Sequence, residues 1–308
     1  MATMNIAILG ECMIELQQAN DQLTRNFGGD TLNTAVYLSR LTKDKDINTT
    51  YVTALGNDSF SDEMLAAWNK EGINTDLVLR LEGKLPGLYY IETDSTGERS
   101  FHYWRNDAAA KYLLEQEQSA ELLNNLMAFD AIYLSGISLA ILTAASREQL
   151  FTFLEDFKGK GGKVLFDNNY RPKLWACVKE AQEAYLRMLS LTDIALLTFD
   201  DEQLLFGDET LEECIERTQG AGVTEIAIKR GKDACLVVTA EQNVFVPALV
   251  ADKVIDTTAA GDSFSGGYLA KRFTGGSATQ AAHAGHQVAS TVIQYRGAVI
   301  PADAMPTI

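Results

Sequence analysis

The chain has 308 residues, and its 42 acidic and 26 basic side chains give a formal net charge of −16. This acidic excess argues against nucleic acid and anionic membranes as main partners, because both require a basic surface, and a small-molecule partner is expected instead. Hydrophobic residues make up 46% of the chain and charged residues 22%. These proportions are typical of a globular protein and exclude a disordered or fibrous chain.

Targeting signals and cysteine pairs are not evident in the sequence. No apolar stretch reaches the roughly 18 residues that a membrane helix needs, and residues 1–10 lack the basic residues of a secretory signal. The four cysteines, Cys12, Cys177, Cys214 and Cys235, are far apart and form no CxxC motif. This spacing favours buried reduced thiols over a zinc site or a disulfide framework. We expect a cytoplasmic protein.

Short apolar runs rich in Val and Ile recur along the chain and predict buried parallel strands, because polar alternation disappears when both faces of a sheet are covered. These runs are 5–9, 51–55, 131–135, 163–167, 193–197, 225–229 and 234–239. The segments between them that have helical spacing and helix start signals are 58–71, 145–157 and 179–191. The alternation predicts a doubly wound α/β sandwich, which we interpret as a single domain over 1–308.

Two regions, 11–27 and 88–105, break this alternation. The second contains the strand-like runs YYIET and RSFHYW on either side of the turn Asp94-Ser95-Thr96-Gly97, which is typical of a β-hairpin. A hairpin inserted into an α/β order is expected to project over one edge of the sheet, where a small lid covers a ligand. The alternative is an ordinary antiparallel extension of the main sheet.

The string DTTAAGDSFSGGY leads into a predicted helix over 263–272. Its small residues Ala259, Ala260 and Gly261 allow a sharp turn that exposes consecutive backbone N–H groups at the positive end of the helix. Such a turn is typical of an anion-binding site. Asp262 would then place a carboxylate beside a bound phosphate. The alternative is that Asp262 only caps the helix.

The same string resembles the C-terminal signature of the ribokinase-like, phosphofructokinase-B (PfkB) family of ATP-dependent sugar kinases. The string GGDTLNTAVYLSRL is similar to the N-terminal signature of that family, and the resemblance covers nearly the whole chain. It implies a three-layer α/β/α sandwich with a central, mainly parallel sheet and a small β-sheet lid. Within the family, GECMIEL, FHYWRNDAAA, DNNYRPKLW and QYRGAV most resemble the kinases of 2-keto-3-deoxygluconate.

The resemblance also implies roles for the residues of the DTTAAGD string. Asp262 would be the catalytic base that takes a proton from the primary hydroxyl of the sugar as this hydroxyl attacks the γ-phosphorus of ATP. Ala259, Ala260 and Gly261 would supply the N–H groups of the anion hole. The family usually has glycine at the position of Ala259, so the backbone has less freedom here.

For the nucleotide, the resemblance implies that Lys229 and Gly231 lie along ATP and that His286 lies beside the adenine. The alternatives are an ordinary strand exit for the first two and a solvated helix position for the histidine. The NxxE metal motif of the family reads FDDE here, so only Glu202 is retained as a water-mediated Mg²⁺ ligand, or as an acidic residue at a helix start. A monovalent cation, K⁺, beside Asp256 is a further implication.

A keto-deoxy sugar acid carries a carboxylate, which the planar guanidinium of arginine binds best. Arg105 and Arg171 match substrate-associated residues of the sugar-acid kinases, although each alone also reads as a surface arginine. Tyr89 and Tyr103 on the predicted hairpin would supply hydroxyls to the sugar, or form a cross-strand aromatic pair. The resemblance places four more residues near the sugar hydroxyls, of which the aspartate is otherwise a plain N-cap: Gly28, Gly29, Asp30 and Asn33.

These features together predict ATP-dependent phosphorylation of 2-keto-3-deoxygluconate at its 6-hydroxyl, with Mg²⁺. The alternatives are a kinase of a neutral sugar, such as fructose or ribose, and a sugar-sensing protein of the same fold without turnover. A nicotinamide-dependent oxidoreductase is disfavoured because no GxGxxG follows the first strand. The exposed edge of a projecting lid predicts a homodimer.

Overall fold

The computed structural model describes residues 3–19, 22–93 and 99–308. The strands are β1 (Met4–Leu9), β2 (Met13–Ala19), β3 (Gln22–Gly28), β4 (Ile47–Val52), β5 (Ala54–Gly56), β6 (Leu79–Leu81), β7 (Gly87–Thr93), β8 (Arg99–Trp104), β9 (Ala131–Ser135), β10 (Lys163–Asp167), β11 (Ile194–Thr198), β12 (Glu225–Lys229), β13 (Cys235–Val238) and β14 (Asn243–Val246). The α-helices are α1 (Asp30–Thr42), α2 (Ser59–Lys70), α3 (Ser119–Leu126), α4 (Gly136–Ile141), α5 (Ala144–Gly159), α6 (Val178–Leu191), α7 (Phe199–Phe206), α8 (Leu211–Gly220), α9 (Ala260–Phe273) and α10 (Ala278–Val292). Short 3₁₀ helices cover Ala109–Tyr112, Pro172–Leu174 and Ala302–Ala304.

The central sheet has eight strands in the order β14-β13-β12-β11-β10-β9-β1-β4. The six strands from β12 to β4 are parallel, as the apolar runs predict. The prediction of a parallel strand over 234–239 is wrong, because β13 pairs antiparallel with β12. Only five residues connect Lys229 to Cys235, and a parallel crossover needs about a dozen or more. The predicted strand 51–55 is also divided, between β4 and β5.

Helices cover both faces of this sheet, which confirms the predicted three-layer sandwich. Alternate side chains of β1 enter opposite cores: Ile6 and Ile8 pack in one, and Ala7 and Leu9 in the other. The first core contains buried side chains of α1, α2, α9 and α10, and the second contains side chains of α3 to α8. Apolar residues on both faces of the strands therefore account for the missing polar alternation.

The three predicted helices are present as α2, α5 and α6, with ends within two residues of the expected positions. The start of α2 shows the physical basis of the helix start signal in the sequence. The Asp58 side chain accepts hydrogen bonds from Phe60 N at 3.0 Å and Ser61 N at 3.1 Å, so it satisfies two amides of the first turn. Gly72 follows the helix with a φ of +75°, a left-handed conformation that favours glycine.

A separate four-stranded sheet, in the order β3-β2-β7-β8, forms the lid. The hairpin of β7 and β8 is antiparallel and places Tyr89 opposite Tyr103, as predicted. The alternative of an extension to the main sheet is wrong, because β7 pairs with β2 and β8 pairs with β7, and neither pairs with the central sheet. The predicted turn Asp94-Ser95-Thr96-Gly97 lies outside the described residues. The lid strand β3 leads directly into α1 through Gly28 and Gly29.

Close packing of α9 against α1 and α10 sets the position of the site. A Cβ on Gly266 would lie 2.7 Å from Tyr37 Cβ of α1, and one on Gly267 would lie 2.8 Å from Val288 of α10. These glycines therefore allow the helices to approach closely, which brings the start of α9 to the start of α1. Among the described residues, we find no helix with both the length and the apolar character to cross a membrane.

Candidate active site

The start of α9 lacks a side-chain cap. Its N-cap residue is Ala259, whose side chain makes no capping hydrogen bond. The Ala260 amide donates to the Thr257 carbonyl at 3.2 Å. Because Asp262 lies inside the first turn and does not cap it, the capping alternative for this residue is wrong. The N-terminus of a helix with 14 residues, such as α9, carries partial positive charge on its free N–H groups. This charge favours a bound anion.

Ala259 adopts a left-handed conformation, with φ +59° and ψ +17°. Within the described ranges, Asn169 is the other non-glycine residue with positive φ. A left-handed alanine costs roughly 1–2 kcal/mol, because its Cβ approaches a carbonyl oxygen. The conformation turns the chain sharply into α9, as the small residues of the DTTAAGD string predict.

Asp262 is half-buried and held by α1. Asn33 Nδ2 donates to Asp262 Oδ2 at 2.8 Å, and Thr34 Oγ1 donates to the Asp262 carbonyl at 3.2 Å. Burial raises the pKa of Asp262 to about 7, and the like charge of Asp30 contributes to this increase. A carboxylate with a pKa near neutral pH is suited to general-base catalysis.

Asp30 is the first residue of α1, and Gly29 occupies the N-cap position. Asn169 Nδ2 donates to Asp30 Oδ2 at 2.6 Å, which links this carboxylate to the segment after β10. Burial raises the pKa of Asp30, while hydrogen bonds from Ser135 and Asn169 oppose the increase. Asp30 and Asp262 are therefore close enough for the charge of Asp30 to raise the pKa of Asp262, and Asn33 holds the Asp262 carboxylate.

Gly28 and Gly29 bring the lid and the loop after β1 into contact with the site. A Cβ on Gly28 would lie 2.3 Å from the Tyr89 hydroxyl, and one on Gly29 would lie 2.2 Å from the Glu11 carbonyl oxygen. A side chain at position 29 would therefore clash with the backbone of the loop after β1, and one at position 28 would displace the Tyr89 hydroxyl. The structure thereby places both predicted glycines at the junction of the lid and α1.

The two tyrosines of the hairpin differ in accessibility. Tyr89 is buried and donates to the Glu15 carboxylate, and burial raises the pKa of its hydroxyl. Tyr103 is 53% exposed, and its ring centroid lies 5.8 Å from that of Tyr89. The cross-strand aromatic pair is therefore present. Of the two tyrosines, Tyr103 is the one whose side chain is exposed to a ligand.

The two candidate arginines have different surroundings. Arg105 follows the lid strand β8 and pairs with the buried Glu11 carboxylate, and its side chain is 10% exposed. Among the described residues, its buried Nε atom has no hydrogen-bond partner. Arg171 is 52% exposed, donates to the Tyr170 carbonyl at 2.8 Å and lies 3.5 Å from Asp201 Oδ1. Only Arg105 is therefore held in a defined pocket.

The three predicted nucleotide residues differ in burial. Lys229 is buried and pairs with Asp167 at 2.7 Å, so its ammonium is already compensated. Gly231 lies in the exposed turn after β12, with a φ of +59°. His286 is buried, its Nε2 lies 3.2 Å from the Val246 carbonyl oxygen, and burial lowers its pKa. The alternative of a solvated histidine is wrong.

The two candidate cation residues already have protein partners. Glu202 is buried, its Oε1 accepts from Asn168 at 2.8 Å and its Oε2 accepts from Arg217 at 2.6 Å. Ligand atoms of Glu202, Asp208 and Cys214 lie within 4.8 Å of one another, but Arg217 also pairs with Asp208. This arrangement fits an arginine and does not fit a directly bound divalent cation.

Asp256 is buried in the loop before α9. Its Oδ1 accepts from Thr258 N at 3.0 Å and from Thr258 Oγ1 at 2.7 Å, and its Oδ2 accepts from Gly297 N at 3.0 Å. The Asp256 amide donates to the Ile293 carbonyl at 3.2 Å. These bonds join the loop to the C-terminal segment. The K⁺ predicted beside Asp256 stays a prediction.

The comparisons with known proteins identify the family. The model of the pfkB family carbohydrate kinases matches residues 3–305. This chain belongs to the pfkB family. It is 61% identical over 309 residues to a 2-dehydro-3-deoxygluconokinase of Dickeya dadantii, covering 99% of this chain and 100% of the relative. It is 60% identical over 304 residues to a 2-dehydro-3-deoxygluconokinase of Escherichia coli K12, covering 98% of each.

A solved structure shows the same fold. A putative ribokinase II from E. coli in complex with ATP and Mg²⁺ matches with a TM-score of 0.82 and 23% identity, covering 99% of this chain and 96% of that chain. The predicted resemblance and fold class are thus confirmed. As a member of the pfkB family with these relatives, the chain is an ATP-dependent carbohydrate kinase.

Three residues of this pfkB kinase site were not singled out from the sequence. Asp167 is the last residue of β10, and Asn169 lies two residues after it. Glu11 lies two residues after the end of β1. Polar residues at the C-terminal ends of parallel strands are the available signal, since ligands of open α/β sheets bind at that edge. Their partners, Lys229, Asp30 and Arg105, are 62 or more residues away in the chain, so the pairing itself has no local signature.

Proposed function

We propose that this kinase transfers the γ-phosphoryl group of MgATP to the 6-hydroxyl of 2-keto-3-deoxygluconate, also called 2-dehydro-3-deoxygluconate. The observation that carries the proposal is the half-buried Asp262, with a pKa near 7, beside the uncapped start of α9. Two relatives with at least 60% identity over almost the whole chain bear the name of that activity and support the choice of substrate.

In the proposed reaction, Asp262 accepts the proton of the 6-hydroxyl while the hydroxyl oxygen forms a bond to the γ-phosphorus. The bond between the γ-phosphorus and its bridging oxygen breaks, and ADP leaves with the electron pair. The backbone N–H groups at Ala259 and Gly261, together with that of Ala260 once it leaves the Thr257 carbonyl, stabilise the negative charge on the transferring group. Mg²⁺ enters with the triphosphate and offsets its charge.

Two buried atoms without partners support the binding of a sugar acid. Within the described residues, Asn33 Oδ1 and Arg105 Nε have no hydrogen-bond partner. A buried unsatisfied polar atom costs about 1–3 kcal/mol, which a bound ligand recovers. We assign a sugar hydroxyl to Asn33 and the substrate carboxylate to Arg105, with Asp30 as a further acceptor of sugar hydroxyls.

Other predicted residues enter the proposal with less support from contacts. We assign Gly28, Gly29, Tyr89 and Tyr103 to the sugar side on their contacts in the lid, and we assign Arg171, which is half exposed, to the same side on the resemblance to the family. Four more residues are proposed for the nucleotide and its cations on the resemblance to the family: Gly231, His286, Glu202 through water and Asp256 with K⁺.

A kinase of a neutral sugar is the second candidate, and one contact favours it. Glu11 already compensates the charge of Arg105, so this arginine is less attractive to a carboxylate than an isolated one. A coupled ADP-release assay over sugar acids and neutral sugars tests both, with Asp262→Asn as the control for turnover at this site. We expect the highest kcat/KM with 2-keto-3-deoxygluconate. A higher value with fructose or ribose contradicts the choice of substrate, and absence of ADP release with every sugar favours a sensing protein.

The lid sheet supports a homodimer as part of the proposal. Its edge strands, β3 and β8, carry exposed apolar side chains on Leu23, Phe101, Tyr103 and Trp104. Phe101 and Tyr103 stack on β8 with ring centroids 6.4 Å apart, and contiguous exposed apolar groups of this kind are typical of protein interfaces. Sedimentation of wild-type and Trp104→Glu proteins tests this interface. We expect a dimer that the charge dissociates, and a wild-type monomer contradicts it.

We also propose a cytoplasmic location. Cys12, Cys214 and Cys235 are buried free thiols as predicted, whereas Cys177 is a free thiol that is exposed, so the prediction of burial is wrong for Cys177. Unpaired cysteines are compatible with a reducing compartment. Detection of the active protein in a secreted fraction contradicts this location.

A further inference from the structure

A buried ion pair lies beneath the start of α9, between the C-terminal ends of β10 and β12. Lys229 Nζ lies 2.7 Å from Asp167 Oδ2, and the two side chains are 9% and 6% exposed. β11 separates the two strands in the sheet, so the pair crosses the edge of three strands. A Cβ on Gly261 would lie 3.7 Å from Lys229 Nζ. The cation is therefore directly below the proposed anion hole.

The pair is also bonded to the helix that carries the proposed base. Ser265 Oγ donates to Asp167 Oδ2 at 2.8 Å, and Lys229 Nζ lies 3.5 Å from Ser265 Oγ. Asp262 and Ser265 are three residues apart in α9, so they lie on neighbouring positions of one helix face. A change in the ion pair is thus transmitted to the first turn of α9 by direct contacts.

Stability alone does not explain this pair. Burial of two charges has a large desolvation cost, and replacement of a buried ion pair by apolar residues is often neutral or stabilising. Its charges do act on the base. Burial, followed by the charge of Asp30, raises the pKa of Asp262, Asp167 adds to that increase and Lys229 opposes it. The two members of the pair therefore have opposite effects on the same carboxylate.

We propose that Lys229 and Asp167 form a positioning pair that sets the charge and geometry beneath the catalytic base and the anion hole, without contacting the sugar or the nucleotide. The inference rests on the proposed role of Asp262 as the base. It assigns Lys229 a different role from the direct nucleotide contact that the sequence predicts. The titratable groups that face Asp262 are Asp30 and Tyr37 on α1, Tyr133 on β9, Asp167 on β10 and Lys229 on β12.

The pH profile of kcat/KM for the sugar, measured at saturating MgATP, tests this pair. Lys229→Met removes the charge that favours the ionised base. We therefore expect the acidic limb of the profile, where kcat/KM falls as the base is protonated, to move to higher pH by about one unit. Asp167→Asn removes the charge that disfavours it and leaves Lys229 uncompensated, so the limb moves to lower pH by a similar amount. The double variant is expected to return close to the wild-type profile. Because it leaves no unpaired buried charge, it keeps the test informative if a single variant folds poorly.

A matched control is available at the other ends of the same two elements. Arg272 in the last turn of α9 lies 2.8 Å from Glu225 Oε2 at the start of β12. Arg272→Met removes a comparable ion pair far from the site. We expect it to lower the melting temperature and to leave the acidic limb where it is in the wild-type enzyme.

Two results would overturn the inference. One is an acidic limb that neither Lys229→Met nor Asp167→Asn moves, in proteins that remain folded. The other is a Lys229→Met enzyme with a higher KM for ATP and an unchanged limb, which would indicate direct nucleotide contact. If Asp262→Asn abolishes turnover in the same series, only the positioning role fails. If Asp262→Asn keeps near-native turnover, the proposed base itself is wrong.

Discussion

The start of α9 and the lid sheet contribute the two halves of the proposed site, and their side chains are held in different ways. At the start of α9, Asp262 is fixed by Asn33 and Thr34 of a neighbouring helix. On the lid, Tyr103 and Trp104 are 53% and 61% exposed. The groups proposed for phosphoryl transfer are therefore preorganised by contacts with the core. On the lid surface proposed for sugar binding, by contrast, these two side chains are exposed to solvent.

Arg105 lies at the boundary between these two regions. Its guanidinium is fixed by Glu11, which follows a core strand, although the arginine itself follows a lid strand. The buried and unpartnered Nε therefore combines a fixed position with an unused donor. This difference between the regions leads us to expect that changes at α9 alter kcat, and that changes at the lid alter KM for the sugar.

The largest effect is expected from Asp262→Asn. The substitution keeps the size of the side chain but removes the base, so kcat should fall by roughly 10²- to 10⁴-fold. Nucleotide affinity, measured by calorimetry with a non-hydrolysable ATP analogue, should be largely unchanged. Turnover close to the wild-type value would show that the start of α9 does not supply the base.

The second prediction concerns the two arginines. Arg105→Ala removes a charged donor from a defined pocket, and we expect KM for the sugar acid to rise about 10- to 100-fold. Arg171→Ala removes an exposed arginine, and a change of about fivefold or less is expected because exposed ion pairs contribute little. Steady-state kinetics with sugar acids and neutral sugars measure both.

The Arg105 substitution needs a control for its effect on Glu11. Arg105→Ala leaves this carboxylate buried without its partner, which destabilises the fold by itself. The double variant Arg105→Ala/Glu11→Gln removes that unpaired charge. A loss of sugar-acid selectivity in both variants supports the carboxylate contact, and unchanged selectivity in both contradicts it.

The third prediction is a pH dependence that belongs to α9 and not to the lid. Because burial and the charge of Asp30 raise the pKa of Asp262 to about 7, the base becomes protonated as the pH falls through that value. We expect kcat/KM to decrease about tenfold for each pH unit below 7. Tyr103→Phe on the lid should change KM without moving this limb. A limb near pH 4, the range of an ordinary aspartate, contradicts the proposed environment.

The same contrast between core and lid separates what the sequence predicts from what it leaves open. The parallel strands, α2, α5 and α6, the lid hairpin and the helix after the DTTAAGD string follow from local patterns and turn residues. The direction of β13 was predicted wrongly because a strand buried on both faces shows no orientation in its composition. The short connection from β12 was the signal that excludes a parallel crossover.

Contacts within the site are harder to predict than its elements. Lys229 is the clearest example: the KRG string places it at a strand end, but its partner Asp167 is 62 residues away and lies on a strand that is not adjacent. Glu202 likewise has a recognisable motif position, yet Arg217 and Asn168 determine what its carboxylate binds. Local patterns locate residues on elements, and the packing of distant elements determines their partners.

The smallest effect is expected from Ala259→Gly, which tests the backbone of the α9 start. Glycine removes the left-handed strain of roughly 1–2 kcal/mol, but it also adds about 0.4–1 kcal/mol of entropy to the unfolded chain. We therefore expect a small net stabilisation, with kcat changed less than about twofold. Ala260→Gly, one residue later in helical conformation, is the matched control and should destabilise by roughly 0.5–1 kcal/mol. Equal destabilisation of both variants by chemical denaturation would show that Ala259 is not strained, and that the turn into α9 has no backbone cost.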